Sequence, residues 1–367
     1  MKTNRLMRKM LSIVTAVLAL PILSVFAFGV ELPEQALSHA NPCVQEVMTI
    51  QELVTPDLMA MPDVLGTAVG QDDKGDLTIL VYVNLEGKNP AESVRNIPRS
   101  LRGKSISVEL TEPFRALGKP ATSKVSHTAK QEPPIQLGTS GGWGLDLANG
   151  YCCGGTLGSL VQIKGTQYIL SNYHVFEADT VPGGNSKTAE TEDPIIQPGL
   201  LDVGCNEDNA QTVATLVKKS SLPNSNVDAS IAQVNTGMVQ TDGAILEIGT
   251  ISSQTVRASL NQAVKKSGRT TGLTRSKVSG LNATVSVAYE NECAGGSAFT
   301  KTFTGQIIIG NRASKFLAGG DSGSLMVEDV ATDPRAVGLL FAGSSSLAVA
   351  NPIGDVLSFL GATMVGN

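Results

Sequence analysis

Gly319-Gly320-Asp321-Ser322-Gly323-Ser324 lies between the turn-like Ala313-Ser314-Lys315 and the apolar strand candidate Leu325-Met326-Val327. A serine between glycines, preceded by an aspartate and followed by a strand, has the setting of a nucleophile. By itself Gly-Asp-Ser-Gly also makes an ordinary turn. The rest of the chain therefore decides how the motif is read.

The chain has 367 residues, 41% hydrophobic and 17% charged, enough for two or three domains with buried cores. Glycine is frequent at 38 residues and aromatics are scarce at 4%, as in a chain of many short strands joined by turns. Residues 1–29 read as an export signal. Lys2, Arg5, Arg8 and Lys9 precede an apolar run from Leu11 to Phe28, and Ala27 and Gly29 offer a small-residue cleavage site. The run is also about long enough to be an uncleaved anchor, but Pro21 and the small residues at its end favour cleavage. The chain is then expected to be exported, secreted or periplasmic, with no stable membrane association after cleavage. Removing the four basic residues of the signal leaves 24 basic against 33 acidic residues, a net charge of −9. That balance excludes a basic nucleic-acid face. Cys43, Cys152, Cys153, Cys205 and Cys293 form an odd set, so at least one is unpaired within the chain. Three histidines and no Cys-x-x-Cys pair argue against a zinc site, and no cofactor is implied.

Residues 43–117 read as a small α+β domain in the order α-β-β-α-β. Val44 to Met59 suits a helix, Val64 to Val69 and Leu77 to Val83 suit strands, Pro90 to Asn96 a helix opened by proline, and Ile106 to Leu110 a half-buried strand. Residues 118–142, with Pro120, Pro133, Pro134 and Gly141-Gly142, read as a linker. From 143 to 367 short strand candidates recur between turn residues, among them Thr156–Ile163, Gln167–Ser171, Ala229–Val234, Ala283–Tyr289 and Ala336–Ala342. Such spacing predicts sandwiches or barrels, closed by a terminal helix over Ile353 to Leu360.

A serine hydroxyl needs a neighbouring base, and the base needs a carboxylate to fix its tautomer. His39 follows the signal closely and His127 lies in the linker. His174 follows the strand candidate Tyr168-Ile169-Leu170-Ser171, at a strand end from which a side chain can project into a cleft. Asp228 heads the apolar strand Ala229-Ser230-Ile231-Ala232, 54 residues after His174 and 94 before Ser322. Asp202, in a looser segment, is the second candidate acid.

The order His, Asp, Ser resembles that of the chymotrypsin/trypsin-like serine peptidases. Gly154-Gly155-Thr156-Leu157-Gly158 with Tyr168 to His174 is similar to the strand pair that delivers the histidine. Val227 to Ala232 is similar to the aspartate block, Gly320 to Leu325 to the nucleophile block, and Val337 to Gly343 to the strand lining the substrate cleft. The chain departs from many members in having Val175, not cysteine, after His174, and in lacking an Ile-Val-Gly-Gly-type start. Gly268-Arg269-Thr270-Thr271-Gly272 resembles a bacterial block whose arginine pairs with the aspartate before the nucleophile. The whole chain most resembles a bacterial trypsin-like group with a small α+β N-terminal domain, to which the plant Narrow Leaf 1 protein is also similar.

The resemblance implies a mainly β fold of two six-stranded antiparallel barrels after the α+β domain. It implies a serine endopeptidase acting on protein or peptide substrates. Ser322 would be the nucleophile, His174 the base and Asp228 its orienter. Backbone N–H groups of Gly320 and Ser322 would hold the oxyanion, and an Arg269–Asp321 ion pair would hold the loop. Phe316, Phe341 and Gly343 would shape a pocket for a small or apolar side chain, although Phe316 suits the core equally well. The α+β domain would be a pro-region or a permanent regulatory domain. The alternative is a catalytically silent protease-fold domain that binds peptides or a partner.

Overall fold

A computed structural model describes residues 37–115, 125–148, 151–177, 189–289, 299–311 and 315–367. The expected export signal, residues 118–124 of the expected linker and Cys293 lie outside the described residues.

The N-terminal segment has the expected α-β-β-α-β order. Helix α1 (Pro42–Met59) starts where Asn41 accepts a hydrogen bond from Cys43 N at 2.9 Å, with proline at the first helical position. Strands β1 (Val64–Gln71) and β2 (Leu77–Asn84) form an antiparallel hairpin. Helix α2 (Pro90–Asn96) then crosses to β3 (Lys104–Thr111), which runs parallel to β2. The two-residue strand β4 (Phe114–Arg115) follows.

The first barrel contains β5 (Thr139–Trp143), β6 (Gly155–Leu157), β7 (Ser159–Ile163), β8 (Thr166–Ser171), β9 (Pro194–Gln197), β10 (Gln211–Val217) and β11 (Ser230–Val234). Pairing runs β7-β8-β11-β10-β9-β5-β6, and the chain itself joins β6 to β7 across Gly158. Counting β6 and β7 as one bent strand gives six. Helix α3 (Tyr173–Phe176) follows β8 directly.

The second barrel contains β12 (Ala263–Gly268), β13 (Gly272–Tyr289), β14 (Phe299–Gly310), β15 (Leu325–Glu328), β16 (Ala336–Gly343) and β17 (Leu347–Pro352). Its pairing order is β12-β15-β16-β17-β14-β13, and a further β12–β13 pairing returns to the start. Helix α4 (Ile353–Leu360) ends at Gly361 in a left-handed conformation (φ 65°), and β18 (Thr363–Met364) pairs back onto β7. The mainly β, trypsin-type architecture expected from the sequence is therefore present.

Two boundaries differ from the sequence reading. The linker expected over 118–142 already contains β5 from Thr139, whose glycines let it lie close against neighbouring strands. The segment 43–117 does not end at its own edge. Strand β1 pairs antiparallel with β13, Gly66 opposite Val285 and Val69 opposite Leu281, so its sheet continues that of the second barrel. Strand β4 lies parallel to β13 at Val287 and Ala288, and Arg115 faces Gly343 of β16. Val44, Val47, Val54 and Leu58 of α1 share one apolar cluster with Ile307, Met326 and Leu340 of the barrel. Each such buried side chain contributes about 1.5–3 kcal/mol.

Candidate active site

His174 and Asp228 come from the first barrel. Strand β8 ends at Ser171, and the short α3 turns His174 toward the loop that precedes β11. His174 Nδ1 lies 2.6 Å from Asp228 Oδ2, and the His174 backbone N–H donates to Asp228 Oδ1 at 3.3 Å. The carboxylate is fully buried, while the imidazole is 18% exposed. Asn172 Nδ2 donates to the Asp228 carbonyl at 2.7 Å, and Asp228 N donates to Asn351 Oδ1 at 2.9 Å. Both ends of the aspartate's backbone are thus fixed before its side chain acts. A buried carboxylate needs several donors to stay ionised. Tyr289 Oη supplies one more, at 2.8 Å from Oδ2.

Ser322 comes from the second barrel, in the loop before β15. Most of the carbonyls and two of the N–H groups of that loop are committed. Thr156 N donates to Ser322 O at 2.8 Å and Thr156 Oγ1 to Gly320 O at 2.9 Å. Gly323 N donates to Leu340 O at 3.0 Å, and Asp321 N to Ala318 O at 3.0 Å. Among the described residues the N–H groups of Gly320 and Ser322 alone in this stretch of four have no acceptor. Gly320 has φ 87°, a conformation that suits glycine, and a Cβ there would meet Arg269 Nη1 at 2.9 Å. Ser322 makes no hydrogen bond to His174. Gly155 lies between the two loops: a Cβ there would be 3.0 Å from Ser322 O and 2.7 Å from Val175, the residue after His174. Catalytic hydrogen bonds are often long until a substrate is bound.

The Arg269–Asp321 ion pair expected from the sequence is not formed. Asp321 Oδ1 accepts from the backbone N–H groups of Thr270 at 2.9 Å and Thr271 at 3.1 Å. Its Oδ2 accepts from Thr271 Oγ1 at 2.7 Å and Ala318 N at 3.0 Å. Its cationic partner is Lys266, whose Nζ lies 3.2 Å from Oδ2. The turn between β12 and β13 presents its backbone to Asp321, so the Arg269 side chain leaves on the other side. There Arg269 Nε donates to Asp202 Oδ2 at 2.7 Å, with Nη2 on Oδ1. Asp202 also accepts from Ser140 Oγ at 2.5 Å, so this second candidate acid serves Arg269 and not His174. Burial pushes the Lys266 ammonium down, and the neighbouring Asp321 charge opposes that shift.

The pocket expected at Phe316, Phe341 and Gly343 also needs correction. Phe316 and Phe341 are fully buried core residues, Phe316 beside Met326 and Leu340, Phe341 with its ring 4.9 Å from that of Phe303. They belong to two different apolar clusters, Phe316 to the one shared with α1 and Phe341 to one with Phe114 and Tyr173. A Cβ at Gly343 would lie 2.8 Å from Leu347 O and 2.9 Å from Leu317. His127 is buried too, with Nδ1 2.7 Å from Gly138 O and Nε2 2.7 Å from Glu247. A disulfide joins Cys152 and Cys205, Cys153 is also disulfide-bonded, and Cys43 is free. Among the described residues no group of three or more His, Cys, Asp and Glu side chains could hold a metal ion.

No local sequence signal marks Lys266, Tyr289 or Asn351. Lys266 sits in Ala263-Val264-Lys265-Lys266, which reads as a solvated charge pair, and nothing local links Tyr289 or Asn351 to Asp228.

The fold is similar to those of bacterial serine proteases. Thermobifida fusca protease A is 18% identical over 64% of this chain and 99% of its own, with a TM-score of 0.42. Cellulomonas bogoriensis chymotrypsin is 18% identical over 64% and 99%, with a TM-score of 0.38. A glutamic acid-specific serine protease described as using a histidine triad in substrate binding is 19% identical over 63% and 100%, with a TM-score of 0.41. No curated protein is matched by the sequence. Over residues 221–350, the stretch that carries Asp228, the Gly268–Gly272 turn and Ser322, the chain matches the family model of the Nal1 C-terminal domain.

Proposed function

We propose that the protein is an exported serine endopeptidase working through Ser322, His174 and Asp228. The observation that carries this reading is the contact of His174 Nδ1 with a fully buried Asp228. It leaves Nε2 of the imidazole as the acceptor for a hydroxyl proton. Ser322 Oγ attacks a peptide carbonyl as His174 Nε2 takes its proton. The carbonyl oxygen, now negative, is held by the N–H groups of Gly320 and Ser322, each worth about 3 kcal/mol in such chemistry. His174 then passes the proton to the departing amine, and water hydrolyses the acyl-enzyme by the same route. Asp228 orients the ring throughout and faces the imidazolium when it forms.

The Cys152–Cys205 disulfide supports export, since such bonds persist in oxidising compartments. Among the described residues no helix is long and apolar enough to cross a membrane. For the N-terminal segment we favour a permanent part of the fold over a removable pro-region. Cleavage within 118–142 leaves the β1–β13 pairing and the shared core intact.

A fluorophosphonate probe tests the proposal. Wild-type protein is expected to take one label at Ser322, and Ser322→Ala none. A wild type that stays unlabelled sinks the hydrolase and leaves a peptide-binding domain of the same fold.

A further inference from the structure

The Asp228 carboxylate has a partner outside the Ser-His-Asp set. We propose that Tyr289 is a positioning residue for His174 and Asp228, holding Asp228 Oδ2 with its phenolic proton and meeting the imidazole edge-on with its ring. The kinetic side of this inference rests on the hydrolase reading above; the structural side does not.

Tyr289 ends β13, the strand that carries the sheet from the second barrel to β1. Its Oη donates to Oδ2 at 2.8 Å, the same oxygen that His174 Nδ1 meets at 2.6 Å. Its ring meets His174 edge-on, with centroids 5.9 Å apart and planes at 66°. On its other side it stacks on Phe299 at 4.8 Å with planes 8° apart. Burial first, then the Asp228 charge, pushes the phenol well above its ordinary value. It therefore remains a proton donor at any pH where the carboxylate is ionised. His174 and Tyr289 are the titratable groups bonded to Asp228; Asn172 and Asn351 are neutral.

A carboxylate oxygen shared by two donors is less basic than one held by a single donor. Removing the phenol would leave Oδ2 to His174 Nδ1 alone. Tyr289 also fixes the carboxylate rotamer, with Oδ2 toward Nδ1 and Oδ1 toward the His174 backbone. Strand β13 delivers the phenol, so the length and register of that strand position a pair that belongs to the other barrel.

The test compares wild type, Tyr289→Phe, Phe299→Leu and a protein carrying 3-fluorotyrosine at position 289. Two readouts are used: the pH profile of ester hydrolysis, and the His174 Nδ1 proton resonance in Ser322→Ala protein. Tyr289→Phe is expected to lower kcat about tenfold with KM unchanged, the equivalent of a weakened hydrogen bond to a charged group. It is also expected to move the acid limb of kcat/KM to higher pH and the resonance downfield. The fluorinated tyrosine, a stronger donor of nearly the same shape, moves the resonance the opposite way. Phe299→Leu lowers the Tm and leaves limb and resonance where they are. A resonance that ignores both changes at position 289 overturns the proposal. If Ser322-dependent turnover is absent from wild type, the hydrolase reading fails, and the resonance still decides the role of Tyr289.

Discussion

Lys266 Nζ lies 3.2 Å from Asp321 Oδ2, and both side chains are completely buried. The lysine reaches across from the middle of β12, the aspartate from the loop that holds Ser322. Together with the Thr270 and Thr271 N–H groups, this contact fixes the residue immediately before the candidate nucleophile. Removing one member of a buried pair leaves an uncompensated charge, at a cost of about 3–5 kcal/mol. Lys266→Met is therefore expected to lower unfolding free energy by about that amount, measured by urea denaturation, and to abolish labelling. Lys266→Met/Asp321→Asn is expected to recover part of the stability but not the labelling, because the loop loses its anchor.

Arg269 serves a different contact. It ties the Gly268–Gly272 turn to Asp202 of the first barrel through two hydrogen bonds. Arg269→Ala is expected to cost about 2–3 kcal/mol while Asp321 keeps its backbone donors. Probe labelling should slow without disappearing. A combined Arg269→Ala/Asp202→Ala variant whose stability loss equals the sum of the singles contradicts the pairing.

Gly320 tests the oxyanion site. At φ 87° any side chain is strained, and a Cβ would press on Arg269 Nη1 and Thr270 Oγ1. Gly320→Ala is expected to reduce the labelling rate by about 100-fold, the scale of one lost oxyanion donor. The His174–Asp228 contact, observed through the Nδ1 proton resonance, should persist. A variant that labels at the wild-type rate removes Gly320 from the oxyanion role.

The Glu328–Arg335 pair sets a modest pH dependence. Hydrogen bonds from Arg335, chiefly through its side chain, hold the Glu328 carboxyl below its ordinary value. A depressed folded-state pKa gives stability that is present above the unfolded carboxylate value and lost as pH falls through the folded one. Arg335 is about half exposed, so the contribution is at most about 1 kcal/mol. Arg335→Ala should lower the Tm at pH 7 and make little difference near pH 3, by calorimetry.

The N-terminal segment is expected to be required for folding. A chain beginning at Val125 lacks β1 and α1, exposes the edge of β13 and uncovers the cluster around Ile307 and Met326. Such a chain should be insoluble or take the label poorly. A soluble, fully labelled product would show that the second barrel is self-sufficient.

Much of the local structure was legible in the sequence. The N-terminal α-β-β-α-β order follows from proline positions, turn residues and alternation, all of which act over a few residues. Helix α4 is legible for the same reason. Strand β13 was only half visible, as Ala283–Tyr289, because its first part contains Arg275, Ser276, Lys277 and Gly280 and lacks an apolar pattern. The sequence of β5 resembles a linker because Gly141-Gly142 favours turns locally, whereas in the barrel those glycines allow close strand packing.

By itself the sequence determined the order of His174, Asp228 and Ser322, the strand-rich C-terminal portion and the spacing of its motifs. The tertiary structure decided which cation meets Asp321, which phenol meets Asp228, and whether residues 43–117 stand apart. The physical reason is range. Turns and alternation depend on neighbours in sequence, whereas a buried charge acquires its partner only when strands distant in sequence pack together. Lys266 and Arg269 are three residues apart and both basic. Only the path of β12 and the turn after it sends one to Asp321 and the other to Asp202.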